Sequence, residues 1–407
     1  MITGRDFIVT SLQPWDIEIG STIKNTAMEI SRQNRVLYVS TPLDIASRLR
    51  SLLHKDISAS FRRRINVLHS KVSPLRQINE NMWILDCPFT LLSINKFPTL
   101  LFNFFNRCNN KKLGKWIKQQ SQYLGFHNYI HLIDTDIFRS QYLNEYIHPV
   151  LSIYYRRDYI IGFPYWRKHG LRMEQSLVKK SDIVLTNSNY FANQLKEINP
   201  HTYAINTGVN LELYNATQFF DYPADLQAIP SPIIGYTGAL IESRLNSELL
   251  YEVASQCVDY QFVFIGPEDE HFMQHPLHQL ANVHFVGRKE VDELPKYIRY
   301  FDICINPQIV NPITDGNYPL KIDEYLAMGK PIVATSTHTM RDVFAQYVHL
   351  ASNVNEFIRC IKNAISESEN KKLEQDRINF AHTHSWSHSV AKIYKAIEEF
   401  APQINQT

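Results

Sequence analysis

Asp315–Thr335 reads DGNYPLKIDEYLAMGKPIVAT and holds a turn, a short helix and a strand in succession. Gly316-Asn317 suits a turn. Pro319 suits the first helical position, where its missing N–H would be an orphan in any case. Gly329 suits the left-handed residue that stops a helix, and Ile332–Thr335 is an apolar run of the kind buried on both faces of a parallel sheet. Three charges fall inside the helix: Lys321, Asp323 and Glu324. A cation in the first turn opposes the helix dipole, so Lys321 asks for an anionic partner. The amides of Leu320 and Lys321 would face the C-terminal edge of the sheet, where doubly wound folds bind ligands and helix N-termini hold phosphate. Glu324, three residues on, shares that face and suits ribose hydroxyls. The competing reading is an exposed Lys–Glu pair worth under about 1 kcal/mol. Asp323 is expected to be solvated.

The alternation continues outward. PIIGYTG (232–238), FVFIG (262–266), VHFVG (283–287) and DICINP (302–307) read as strands closed by Gly or Pro. Leu249, Leu250, Val253, Ala254 and Cys257 recur at helical spacing between the first two, and a helical segment spans 291–300. The first half repeats the logic, with strands expected at 7–11, 36–40, 129–134, 150–155, 182–188 and 202–206. Ser21 is placed to cap a helix carrying Ile23, Ala27 and Ile30 on one face. Strands alternating with helices imply parallel sheets covered on both faces, here an α/β chain of two Rossmann-like doubly wound domains. Tyr222-Pro223, Pro230 and Pro232 crowd a linker, which puts the division at 1–220 and 221–384. A final amphipathic helix within 385–407, with Val390, Ile393, Tyr394 and Ile397 on one face, is expected to pack back on the first domain.

The 407 residues fit two domains, and 44% hydrophobic content supplies their cores. The N-terminus lacks a basic region followed by an apolar run, so no cleaved signal peptide is expected, and no apolar stretch reaches the length of a spanning helix. Five scattered cysteines without a C-x-x-C pair point to reduced cytosolic thiols, without disulfides or a zinc site. The net charge of +2 hides a division: residues 1–220 hold 27 Lys/Arg against 16 Asp/Glu, and residues 221–407 hold 15 against 24. Much of the excess lies in 48–118, with 14 basic residues against 3 acidic ones. That segment contains Phe61-Arg62-Arg63-Arg64 and an aromatic, basic run from Phe97 to Trp116. It suits an anionic membrane surface, or else an ordinary helix with a solvated basic edge. No nucleic-acid module appears, so nucleic acid is not expected as a partner.

PLKIDEYLAMGKPIVAT resembles the donor-binding signature of GT-B glycosyltransferases, two-domain enzymes with Rossmann-like halves facing a cleft. SLQPWD (11–16), KKSDIVLTNSNYFANQL (179–195), NTGVNLELY (206–214), IIGYTGALIESRLNSELL (233–250) and SWSHSVAKIYKAI (385–397) resemble their counterparts, so the likeness covers nearly the whole chain. The group most resembled is the family-four-like bacterial enzymes of surface-polysaccharide synthesis. The resemblance implies a nucleotide-sugar donor, UDP- or GDP-linked, held without cofactor or metal by the C-terminal domain. Gly238 would let backbone approach the diphosphate, Arg244 and Lys321 would neutralise it, Leu320 would offer its amide, and Glu324 would hold the ribose. Arg288 would lie along the base.

Many retaining members carry two glutamates separated by seven residues. Here Gly316 stands eight positions before Glu324, with Asp315 one residue off. Either the donor sugar is held differently, or the chain belongs with inverting GT-B branches such as the xanthan glucuronosyltransferases. An inverting enzyme needs a general base, and the resemblance puts Asp158, after the strand 150–155, in that role. Arg156 and Arg157 beside it would suit an anionic lipid diphosphate. Glu174 is a weaker candidate on a helix face, and His131 belongs to an apolar strand. The implied activity is metal-independent transfer of a sugar, of hexosyltransferase type, to a lipid-linked or polysaccharide acceptor. It would take place in the cytoplasm, peripherally on the inner face of the cytoplasmic membrane. The alternatives are a GT-B nucleotide-sugar 2-epimerase and a non-catalytic GT-B scaffold.

Overall fold

The computed structural model describes residues 2–17, 20–51 and 58–406; residues 52–57 of the basic segment 48–118 lie outside the described residues. The chain divides into two units, Met1–Ile205 with Ser389–Thr407, and Asn206–His388.

Eight strands form the sheet of the first unit: β1 (Asp6–Ser11), β2 (Arg35–Val39), β3 (Leu75–Asn79), β4 (Met82–Leu85), β5 (Ile130–Asp134), β6 (Leu151–Arg156), β7 (Ile183–Thr186) and β8 (Thr202–Ala204). Their order is β3-β4-β2-β1-β5-β6-β7-β8, parallel except for the β3–β4 hairpin. The chain winds outward from β1 in both directions, so the switch point lies between β1 and β5. Successive residues of β1 feed opposite faces: Phe7 and Val9 enter one core and Ile8 another. Burial on both faces is why these strands read as continuous apolar runs. The β3–β4 hairpin falls in 48–118, where the sequence pattern loses its alternation, because β3 is largely exposed.

The second unit holds six parallel strands: β9 (Ile233–Thr237), β10 (Gln261–Ile265), β11 (Val283–Gly287), β12 (Ile303–Asn306), β13 (Ile332–Thr335) and β14 (His349–Ala351). Their order, β11-β10-β9-β12-β13-β14, puts the switch point between β9 and β12. The three-residue β14 carries too little pattern to be legible.

The boundary falls at Ile205/Asn206, before the prolines that suggested 220. The reason is packing: Val209, Tyr214 and Leu226 join the core built from β9, β12 and the helix Leu320–Ala327, and the Val209 amide donates to the His384 carbonyl at 2.9 Å. At the other end the helix Trp386–Phe400 places Val390, Ile393, Tyr394 and Ile397 in the core of the first unit. The buried Asn34 Nδ2 donates to the Tyr394 hydroxyl there at 2.8 Å.

Candidate functional site

The second unit gathers its unusual groups beside the C-terminal ends of β9, β10 and β11. Gly238 N–H donates to the Ile265 carbonyl at 2.8 Å, and Gly266 N–H to the Gly287 carbonyl at 3.0 Å. A Cβ on Gly266 would lie 2.0 Å from the Gly238 carbonyl oxygen, so these strand ends meet too closely for side chains. Gly238 has φ of 131°, and a Cβ there would lie 2.7 Å from the Lys321 ammonium. That ammonium donates to the Tyr236 hydroxyl at 2.5 Å and rests 3.8 Å from the ring centroid. The empty side-chain position of Gly238 is therefore the space that Lys321 uses.

Lys321 and Glu324 are each partly buried on the helix Leu320–Ala327. Desolvation lowers the Lys321 pKa to about 7, with Arg244 adding repulsion and Glu324 opposing it. Desolvation likewise raises Glu324 to about 7, against the pull of Lys321 and Tyr214. The Tyr214 hydroxyl lies beside this carboxyl short of ordinary hydrogen-bond geometry. Two opposite charges are thus destabilised in one place, which marks a candidate functional site. Arg244 is fixed by its backbone, whose carbonyl accepts from Ile309 N–H at 3.0 Å. Arg288 directly follows Gly287 at the end of β11. The structure thus brings Gly238, Arg244, Lys321 and Glu324 together, with Leu320 opening the helix and Arg288 on the same sheet edge. Pro319 caps the helix and Leu320 is its first residue, a shift of one position from the sequence reading.

Two neighbouring expectations change. Asp323 is fully buried: it accepts from the Tyr318 hydroxyl at 2.7 Å and pairs with His384 Nδ1 at 2.9 Å. Ile322, Asp323, Tyr325 and Leu326 make up the buried face of the helix, so Asp323 is a structural anchor, not a solvated group. Asp315, beside the Gly316 departure, is held by His338, accepting from its backbone N–H at 2.9 Å and lying 2.6 Å from Nδ1.

In the first unit, Asp158 follows β6 with 22% of its side chain exposed. Arg157 lies between two carboxylates, 3.0 Å from Asp158 and 3.0 Å from the buried Asp134. Asp134 also accepts from Ser11 Oγ at 2.7 Å, which places the cluster at the β1/β5 switch point. Thr135 there has φ of 57°, strained for a β-branched residue. Arg156, expected beside Asp158 as a phosphate ligand, turns into the core instead. It pairs with buried Glu174 at 3.4 Å and lies over the rings of Tyr159 and Phe191. Glu174 also accepts from the Tyr154 hydroxyl at 2.9 Å, so both are structural. His131 is buried between Thr10 Oγ1 and Asn144 Oδ1, and burial lowers its pKa to about 4. Sequence reading missed Tyr236, Tyr214, Ser11 and Asp134 as site neighbours. Tyr236 stands in a strand that looks like plain core, and only its polar tip at the strand end hints otherwise.

Residues 231–367 match the family described as Glycosyl transferases group 1. TuaH of Bacillus subtilis, assigned to teichuronic acid biosynthesis as a glycosyltransferase, is 26% identical over 233 residues. The alignment covers 54% of this chain and 58% of that protein, so the chain spans little more than half the length of this relative. Among solved structures, sucrose-phosphate synthase from Thermosynechococcus elongatus superposes with a TM-score of 0.68 at 14% identity, covering 97% of this chain and 98% of that one. The Anabaena protein HepE in complex with UDP-glucose gives 0.65 at 13% identity, over 97% and 99%. The chain therefore has the GT-B glycosyltransferase fold. The match to the glycosyl transferases group 1 family falls within its second unit.

Proposed function

We propose that this chain transfers a sugar from a nucleotide diphosphate sugar to a hydroxyl of a lipid-linked or polysaccharide acceptor in surface-polysaccharide synthesis. The observation that carries this is the Gly238–Lys321–Glu324 cluster beside the β9/β12 switch point, inside a group 1 domain. Lys321 and Arg244 meet the diphosphate and stabilise the negative charge that grows on it as it leaves. Leu320 adds an amide from the helix N-terminus. Glu324 accepts from the ribose hydroxyls, and Arg288 lies along the base.

In the first unit, Asp158 takes the proton of the acceptor hydroxyl. That oxygen bonds to the anomeric carbon as the carbon–oxygen bond to the diphosphate breaks, and the nucleoside diphosphate departs with the electron pair. These cations do the work that a divalent ion does elsewhere, so EDTA should leave the rate unchanged. The basic character of the first unit suits work at an anionic membrane surface on the cytoplasmic side. The group 1 domain favours transfer over the epimerase and scaffold readings.

Isothermal titration with UDP, GDP and ADP tests the proposal. UDP comes first because the Anabaena protein is complexed with UDP-glucose. Micromolar binding of one nucleotide is expected. Binding of none at millimolar concentration would overturn the enzyme reading.

A further inference from the structure

The helix Thr99–Tyr123 shows water an unusual first turn: Leu100 is 84% exposed, Leu101 48% and Phe104 63%. Buried Phe102, Asn106 and Leu113 already anchor its other face, so these three are surplus to the core. Leu171, 56% exposed, lies on the first turn of the helix Gly170–Lys180, where the neighbouring Arg172 contacts the helix Thr99–Tyr123. The two segments are locked together. Arg172 donates to Asn103 Oδ1 at 2.9 Å, Lys168 Nζ to the Lys96 carbonyl at 3.0 Å, and His169 stacks on Phe102 with ring centroids 4.0 Å apart.

The charges around this platform have one sign. No Asp or Glu occurs in residues 87–133 or in 159–173, whereas Lys96, Arg167, Lys168 and Arg172 lie within or beside the platform. Exposed positions further along the first helix continue with Arg107, Lys111, Lys112 and Lys115. Arg107 is paired with Glu145 at 2.7 Å. The Phe61–Arg64 cluster, which first suggested a membrane face, is differently used. Arg63 pairs with Asp86 at 2.8 Å, and Arg64 donates to the carbonyls of Ser60 and Thr41.

Resting on the reading that this transferase works at a membrane, we infer that Leu100, Leu101, Phe104 and Leu171 form a wedge that inserts into an anionic bilayer. The lysines and arginines around it meet lipid phosphates. A few projecting apolar side chains on a rigid base, with an excess of cations around them, match the boundary between acyl chains and headgroups. A protein partner would more often meet aromatic anchors fitted into pockets.

Flotation of the full chain with phosphatidylcholine vesicles, with and without phosphatidylglycerol, tests the wedge. Cys108 lies four residues after Phe104 and is the exposed one of the five cysteines, so an environment-sensitive dye there reports insertion. Wild type should float with the anionic vesicles alone, lose binding as salt rises, and show a blue shift of the dye. L100S/F104S should lower the bound fraction at least tenfold and remove the blue shift, with nucleotide affinity unchanged. K168E/R172E should lower binding without touching the apolar residues. Unaltered flotation of L100S/F104S, equal binding to neutral vesicles, or self-association through the patch would overturn the wedge. Nucleotide binding is read separately: loss of flotation with nucleotide binding intact sinks the wedge alone, and absence of nucleotide binding sinks the transferase reading.

Discussion

The Lys321 ammonium occupies the place where a side chain on residue 238 would begin, 2.7 Å from a Cβ built on Gly238. Gly238→Ala therefore forces either the backbone out of its φ of 131° or Lys321 off the Tyr236 ring. Nucleotide affinity should fall by about tenfold or more, roughly 1.4 kcal/mol. Titration calorimetry measures it, with a thermal melt alongside to separate affinity from stability. Wild-type affinity in a folded variant would detach Gly238 from the site.

Lys321 and Glu324 give nucleotide binding a pH dependence whose sign follows from their shifts. Lys321 carries its charge below about 7 and loses it above. Glu324 gains its charge above about 7. A ligand that needs both, the cation for diphosphate and the carboxylate for ribose, should bind best near pH 7 and more weakly on either side. Lys321→Met should remove the alkaline fall, and Glu324→Gln the acid fall. Glu324→Ala should weaken binding at pH 7 by about 1–3 kcal/mol. Affinities from pH 5.5 to 9 decide the matter, and a flat profile in the wild type would refute it.

The same pair acts on stability without ligand. Lys321 has a folded pKa below its ordinary 10.5, so between about 7 and 10.5 the unfolded chain holds the extra proton and this contribution rises with pH. Glu324 has a folded pKa above its ordinary 4.5, so between 4.5 and about 7 the folded chain holds the extra proton and its contribution falls as pH rises. Their combined contribution is smallest near pH 7. Saturating nucleotide should therefore raise Tm most at that pH, and K321M/E324Q should melt higher than wild type there. Urea melts of the apo protein across this range check the curve.

Asp323 was read from sequence as solvated and is instead the buried partner of Tyr318 and His384. Asp323→Ala should cost about 3–5 kcal/mol of stability by leaving the other groups unpaired in the interior. It should not change nucleotide affinity in whatever fraction stays folded. Denaturant melts and titration of the folded protein distinguish this from a ligand role.

Helix–strand alternation and Gly-terminated apolar runs made β9 to β13 legible, because strands buried on both faces carry their signal in composition. The proximity of Lys321 and Glu324 was legible because residues three apart on a helix share one face. Asp323 was misread because its neighbours' charges masked a helix with one deeply buried face. Arg156 was misread because strand alternation turns it into the core while Arg157 faces Asp134 and Asp158. The domain boundary was misplaced because prolines mark a surface crossing, whereas packing of Val209 and Tyr214 marks the core.

Asp158 carries the last prediction. Its neighbour Arg157 is shared with Asp134, which holds the guanidinium in place from the buried side. Asp158→Asn keeps size and hydrogen-bonding capacity but cannot accept a proton, so transfer should fall by at least about 100-fold, the scale of lost general-base catalysis. Donor affinity should stay within about twofold. Arg157→Ala would remove the guanidinium that pairs with Asp158 at 3.0 Å, lowering kcat with little change in donor binding, and Arg157→Lys should recover part of the rate. A single base and direct displacement also require the product anomer to be inverted relative to the donor, which NMR of the first-formed product reads directly. Near-normal turnover of Asp158→Asn, or a retained anomer, would move the base to another residue and reopen the question posed by Gly316.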